Sequence, residues 1–200
     1  MVAAPVRLRR GEPASIADAD LVARVRAGDR WAEDALYRRY ARPVAGLVAR
    51  LLAGTREEVE DVVHDAFVSA FEKIGRLRDA SAFRAWLMQI AVTHVRRVLR
   101  RRRLKRALGL LPSTDELALE RIASREASPE VRAELAVVDG VLRRLPADLR
   151  IAWVLRHVEG ERLEDVAALC GCSLATAKRR IASAERAMRA VIFVTTEEGS

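Results

Sequence analysis

The sequence is poor in the residues that build metal centres, disulfide frameworks and membrane spans. Its two cysteines, Cys170 and Cys172, are one residue apart, and no second pair or neighbouring histidine accompanies them. That excludes a disulfide framework and a four-ligand zinc site, and small apolar packing in a turn accounts for the pair better than a redox-active C-x-C. The three histidines, His64, His94 and His157, are scattered, so neither a metal nor a cofactor is expected. No apolar run approaches the ~20 residues of a membrane span, and the first residues lack the apolar core of a signal peptide. No membrane insertion is expected, and the cytoplasm is the expected compartment. Strand-like alternation is also missing, which leaves an all-α fold.

What the 200 residues do have is charge, with a net +8, a pI near 10.6 and the basic charge carried almost entirely by arginine. Half of the residues are hydrophobic, enough for a packed core. Arginine makes planar, bidentate contacts to phosphate and guanine, so a polyanion is the favoured partner. The organisation predicted is two small helical domains, 18–106 and 131–192, joined by a linker at 107–130 that is rich in Pro and Ser and holds one short helix around Glu116 to Ile122. In the first domain Leu21, Val22 and Val25 open a helix, Gly28-Asp29 breaks it, and Pro43 is expected to mark a kink or a fresh first turn.

Two adjacent helices of that domain carry opposite charge. In the first, Val59, Val62, Val63, Ala66, Phe67, Ala70 and Phe71 repeat by threes and fours, while Glu57, Glu58, Glu60, Asp61, Asp65 and Glu72 carry acid. Carboxylates at i and i+4, as at Asp61 and Asp65, raise the question of an enzyme. His64 is expected to point to a different side from Asp61, and the chain has no Ser/His/Asp set, phosphate loop or H-E-x-x-H spacing, so no catalytic residue is assigned. The acidic face is either a solvated surface or an interaction surface for a basic partner. In the second helix Phe83, Trp86, Leu87, Ile90 and Ala91 face inward, and eight Lys or Arg residues fall between Arg96 and Arg106 with no acid. Phe83 and Trp86 beside that run suit phosphate tracking and base stacking if a strand is opened. The competing reading is that both are core, which is favoured for Trp86.

The third signal lies between Leu163 and Arg189. A short apolar helix, a Gly171-Cys172-Ser173 turn and a long basic helix make a helix-turn-helix. Leu174, Ala177, Ile181, Ala184 and Met188 form the packing stripe, Ser173 stands at the N-cap, and Thr176, Lys178, Arg179, Arg180, Ser183 and Arg186 lie off the stripe.

Together these segments resemble the extracytoplasmic-function group of bacterial sigma-70 factors. The resemblance is carried by Asp61-Val62-Val63-His64-Asp65-Ala66-Phe67, by Phe83-Arg84-Ala85-Trp86-Leu87 with Ile90-Ala91, and by Arg100 to Arg103. Leu145-Pro146, Glu159-Gly160, Asp165-Val166-Ala167 and Thr176-Ala177-Lys178-Arg179-Arg180 carry it in the second half. It implies a subunit that binds core RNA polymerase and promoter DNA and directs initiation, with no catalytic centre of its own. By position, Asp61, His64 and Asp65 are implied in polymerase binding. Arg78, Asp79, Ala80, Ser81, Arg84, Arg96, Arg97, Arg100 and Arg101 are implied at the minus-ten element. Ser173, Thr176, Lys178, Arg179, Arg180 and Ser183 are implied at the minus-thirty-five element. An anti-sigma protein is the regulatory partner the resemblance implies. The alternative function is a stand-alone helix-turn-helix regulator that does not join polymerase, and a weaker one is a sigma-like protein that sequesters another factor.

Overall fold

The computed structural model describes residues 16–52, 54–109, 140–142 and 144–197, without the side chains of 190–197. Every regular element among them is helical: α1 (Asp18–Arg26), α2 (Arg30–Leu52), α3 (Arg56–Lys73), α4 (Phe83–Ala107), α5 (Ala147–His157), α6 (Leu163–Leu169) and α7 (Leu174–Glu197), with 3-10 turns at Ile74–Arg76 and Ala80–Ala82. The helix expected near Glu116 to Ile122, and nearly all of the linker, lie outside the described residues.

Local chemistry sets the helix ends. Thr55 opens α3 with a capping box in which its hydroxyl accepts from the Glu58 N–H at 3.3 Å and Glu58 accepts from the Thr55 N–H at 2.9 Å. Glu57 and Glu58 in that first turn also oppose the positive end of the helix dipole. Of the two expectations at Pro43, the fresh first turn is not observed: α2 runs through it as one 23-residue helix. Proline forgoes one backbone hydrogen bond there, and the buried residues on both sides, Leu36 and Tyr40 before it and Val44, Leu47, Val48 and Leu51 after it, hold the helix against the core.

The first domain packs α2, α3 and α4 against one another with α1 across one end. Leu21, Leu36, Leu51, Leu52, Phe83 and Leu87 are fully buried at its centre. Arg26 ties α1 to the turn after α3 by donating to the carbonyl oxygens of Ile74 and Leu77. Arg39 and Tyr40 both bond Asp18; burial and then the Asp18 carboxylate push the Tyr40 hydroxyl up to about 12. In the second domain α5, α6 and α7 enclose a smaller core of Ile151, Val154, Leu155, Val166, Ala177, Ile181 and Met188.

The two domains are in contact. Helix α4 packs on α5 and α6, and α2 on α5. Arg50 donates to Glu159 through two nitrogens, Nε to Oε1 and Nη2 to Oε2, the latter at 2.9 Å; Gln89 donates to the Ala168 carbonyl at 3.0 Å, and Arg96 donates to the Cys170 carbonyl at 2.8 Å.

Candidate nucleic-acid interface

Helix α3 turns its apolar stripe inward, which leaves Asp61, His64 and Asp65 exposed on one face. His64 and Asp61 do not point to different sides. They line one shallow hollow together with Glu58, Asp65, Val98 and Arg101, because residues three and four apart on a helix are neighbours. Among the described residues no group of three metal-ligating side chains is assembled. The hollow joins α3 acid to α4 base, and Glu58 is bonded within it by Arg102 at 2.5 Å. Burial raises the Glu58 carboxyl, but the hydrogen bonds from Arg102 and the Thr55 N–H outweigh it and leave the group below its ordinary value.

The segment before α4 is preorganised. Asp79 accepts from the Ser81 N–H at 2.9 Å and from the Ser81 hydroxyl at 2.6 Å, which sets the 3-10 turn and holds the Asp79 carboxyl below the usual carboxylate range. Arg78, Asp79 and Ser81 are exposed and Ala80 is half-buried at this turn, and Arg84 emerges beside it on the first turn of α4.

Along α4 the basic run divides by face. Phe83 is fully buried, 5.7 Å from the Tyr40 ring and 6.2 Å from Trp86, so it is core and cannot stack a base. Trp86, for which core was the favoured reading, is only half-buried and lines a cleft between the domains. Arg97, Arg100 and Arg101 are exposed. Arg102 is turned inward, where it bonds Glu58 and the Leu52 carbonyl. Arg96 is turned toward the second domain.

In the helix-turn-helix, Gly171 takes φ +60°, the left-handed conformation that the reversal needs and glycine adopts without strain. Ser173 accepts from the Thr176 N–H at 3.2 Å as the cap of α7, and its hydroxyl lies 2.9 Å from the Thr176 hydroxyl. Ala177, Ile181, Ala184 and Met188 are buried as the spacing requires, whereas Leu174, at the edge of the stripe, is exposed. Ser173, Lys178 and Arg179 are exposed, while Thr176, Arg180 and Ser183 are half-buried. Cys170 is buried in the turn, and that burial pushes its thiol up to about 11, as suits packing and not redox chemistry.

Sequence reasoning missed Asp148. It stands in the first turn of α5, and three arginines from two other helices converge on its carboxylate. Arg96 Nε lies 2.7 Å from Oδ1, Arg100 Nη2 3.2 Å from Oδ2, and Arg180 Nη2 3.3 Å from Oδ2. An acid at a helix start reads as a dipole partner, and no spacing rule connects it to residues about 30 to 50 positions away.

Comparison with known proteins places both halves of the chain in one family. Residues 36–105 match the family model of sigma-70 region 2, and residues 135–188 match that of sigma-70 region 4. The chain is 34% identical to the RNA polymerase sigma-H factor of Pseudomonas aeruginosa, over 86% of this chain and 91% of that protein. It is 32% identical to the ECF RNA polymerase sigma-E factor of Haemophilus influenzae over 83% and 90%, and 33% identical to that of Escherichia coli strain K12 over 86% and 93%. Among solved structures, it resembles CnrH in complex with the cytosolic domain of CnrY, with a TM-score of 0.58, 26% identity and coverage of 90% of this chain and 99% of that one. The sigma factor RpoE in complex with the anti-sigma factor NepR from Bartonella quintana shares the fold, at a TM-score of 0.58, 23% identity and coverage of 80% and 97%.

Proposed function

The chain belongs to the extracytoplasmic-function group of the sigma-70 family, and from that premise we propose how its residues divide the work. A sigma factor binds core RNA polymerase and directs it to start at chosen promoters, and that is the activity of this chain. The boundaries we assign are 18–106 for the polymerase and minus-ten domain, 107–130 for the linker and 131–192 for the minus-thirty-five domain. Asp61, His64 and Asp65 form the polymerase contact. Arg78, Asp79, Ala80 and Ser81 form the loop that captures a flipped minus-ten base, next to Arg84, and Arg96, Arg97, Arg100 and Arg101 hold the opened strand. Ser173, Thr176, Lys178, Arg179, Arg180 and Ser183 face the minus-thirty-five duplex. The polymerase performs the chemistry, and this chain works beside it in the cytoplasm.

One observation carries this reading: α3 presents exposed acid on the same domain in which α4 presents exposed base. DNA repels the first face and attracts the second, so the domain is built for two different partners at once. A stand-alone regulator needs only a basic surface. An anti-sigma protein is the regulator we assign, supported by the related folds that occur in such complexes.

The test is to mix the full chain with sigma-free core polymerase, follow the complex by gel filtration, and assay run-off transcription from genomic fragments. Asp61→Lys with Asp65→Lys is expected to weaken polymerase association at least about tenfold, the cost of one to two repulsive contacts, while duplex binding persists. Equal loss of both activities argues for the stand-alone regulator.

A further inference from the structure

Folding brings together a Ser/His/Asp set that spacing along the chain does not reveal. His94 of α4 is packed against α3, with its Nε2 3.1 Å from the Ser69 hydroxyl and its Nδ1 3.9 Å from Asp65 Oδ2. The set does not serve acyl transfer, because Ser69 lies in the interior of α3, where the backbone N–H groups that could steady an oxyanion are already bonded along the helix. We propose that His94 is a positioning residue for the polymerase contact, acting through Asp65 as a proton-operated clasp: the neutral ring leaves the Asp65 carboxylate to a basic partner, and the protonated ring draws it inward. The inference rests on the assignment of Asp65 to the polymerase face.

The geometry suits that task. The His94 side chain is 12% exposed and that of Asp65 65% exposed, so the base is out of a partner's reach while the acid is open to a partner and to the ring at once. At 3.9 Å the two groups are beyond hydrogen-bond distance but within the range of charge pairing, so the charge on the ring decides whether they join. Ser69 makes both states tolerable. Its hydroxyl donates to an unprotonated ring nitrogen and accepts from a protonated one, so Nε2 keeps a partner when the proton arrives and the change falls on the Asp65 side. On its outer side Asp65 shares a hollow with Asp61, His64 and Arg101.

Among the described residues, the charged groups that act on the ring are Arg97 of its own helix and Asp65 and Lys73 of α3. Burial, then Arg97, holds the ring below its ordinary value of 6.5; Asp65 opposes them, and Lys73 adds to the depression. Charges on the other helices packed against α4 are engaged elsewhere: Arg26 of α1 with the Ile74 and Leu77 carbonyls, Arg50 of α2 with Glu159, and Asp148 of α5 with Arg96 and Arg100, while Asp165 of α6 lines the cleft between the domains. The ring is therefore neutral at neutral pH, and Asp65 is free to bind. A polymerase cation beside Asp65 cancels the support that this carboxylate gives the protonated ring, so the complex holds the proton less firmly than the free protein does. Association then weakens as pH falls through the His94 value of the free protein, by at most about tenfold per pH unit for one proton.

The test measures the affinity of the full chain for sigma-free core polymerase between about pH 7.5 and 5.5 at fixed salt, for the wild type, His94→Gln, Asp65→Asn and the double variant. All four keep His64, so any contribution of that exposed ring cancels in the comparison. The wild type is expected to lose about two- to fivefold more affinity across the range than His94→Gln, and Asp65→Asn and the double variant are expected to share one profile. Equal pH profiles for the wild type and His94→Gln overturn the proposal, including the case in which His94→Gln is uniformly weaker, as a structural role alone predicts. A His94-dependent difference that survives in the Asp65→Asn background overturns it as well. If His94→Gln does not fold, NMR titration of the His94 ring in the free chain replaces it: Asp65→Asn is expected to move the midpoint down, and an unmoved midpoint overturns the proposal. The underlying assignment is read separately at the upper end of the pH range, where Asp65→Asn binding core polymerase as tightly as the wild type overturns the placing of Asp65 on the polymerase face, whatever the titration shows.

Discussion

Helices α4 and α7 are written in the same language, an apolar stripe with arginines beside it, yet they spend their charge differently. In α4 the stripe of Phe83, Leu87, Ala91, Val92 and Val95 is buried against α2 and α3, and Arg96 and Arg102 are consumed by contacts within the protein. In α7 the stripe of Ala177, Ile181, Ala184 and Met188 is buried against α5 and α6, and Lys178 and Arg179 stand exposed at the start of the helix. Helical periodicity says which face packs. It does not say which of the remaining arginines reach solvent, because a long flexible side chain can fold back onto any acid or carbonyl within its reach.

Substitutions can break or sharpen that contrast. The largest effect is expected from Phe83→Ala, which should cost about 3–5 kcal/mol of stability by opening a cavity in the first domain; thermal melting checks it. A weaker DNA complex with an unchanged melting curve would return Phe83 to the base-stacking role. Next, Arg179→Ala should cost about 1–3 kcal/mol of minus-thirty-five binding and relax preference at one base pair. Uniform loss on all duplexes with a shallower salt slope would instead make Arg179 a phosphate contact. Thr55→Ala, which removes the hydroxyl half of the α3 capping box, should cost about 1 kcal/mol in chemical denaturation.

The smallest effect concerns pH. His94 is held near the Ser69 hydroxyl, at 3.1 Å, and burial, followed by the Arg97 charge, depresses its ring below its ordinary value of 6.5. A group depressed in the folded state binds its proton more readily when unfolded, so its contribution is intact above 6.5 and is lost as pH falls through the folded value. Melting temperature should therefore drop between about pH 7.5 and 5.5 by more in the wild type than in His94→Gln. An equal drop in both would assign the acid sensitivity elsewhere.

Much of the molecule was legible in its residues. The amphipathic stripes of α3, α4 and α7, the turn at Gly171 and the cap at Ser173 follow from spacing and from the backbone needs of glycine and serine, which are local. Pro43 did not start a fresh helix, because its local rule, a lost hydrogen bond, was outweighed by burial of the residues on either side. Phe83 and Trp86 look alike in sequence, three apart on one helix, and only packing sends one to the centre of the core and leaves the other at the cleft.

The sequence by itself determined an all-α fold and a division into acidic and basic faces, since these depend on composition and on periods of three and four residues, and its motifs carried the resemblance to the family. Tertiary structure alone decided that Asp148 gathers Arg96, Arg100 and Arg180, and that Arg102 serves Glu58. Those pairings join residues about 30 to 50 positions apart through the closing of helices on one another, and electrostatic contact depends on separation in space, to which order along the chain gives no guide.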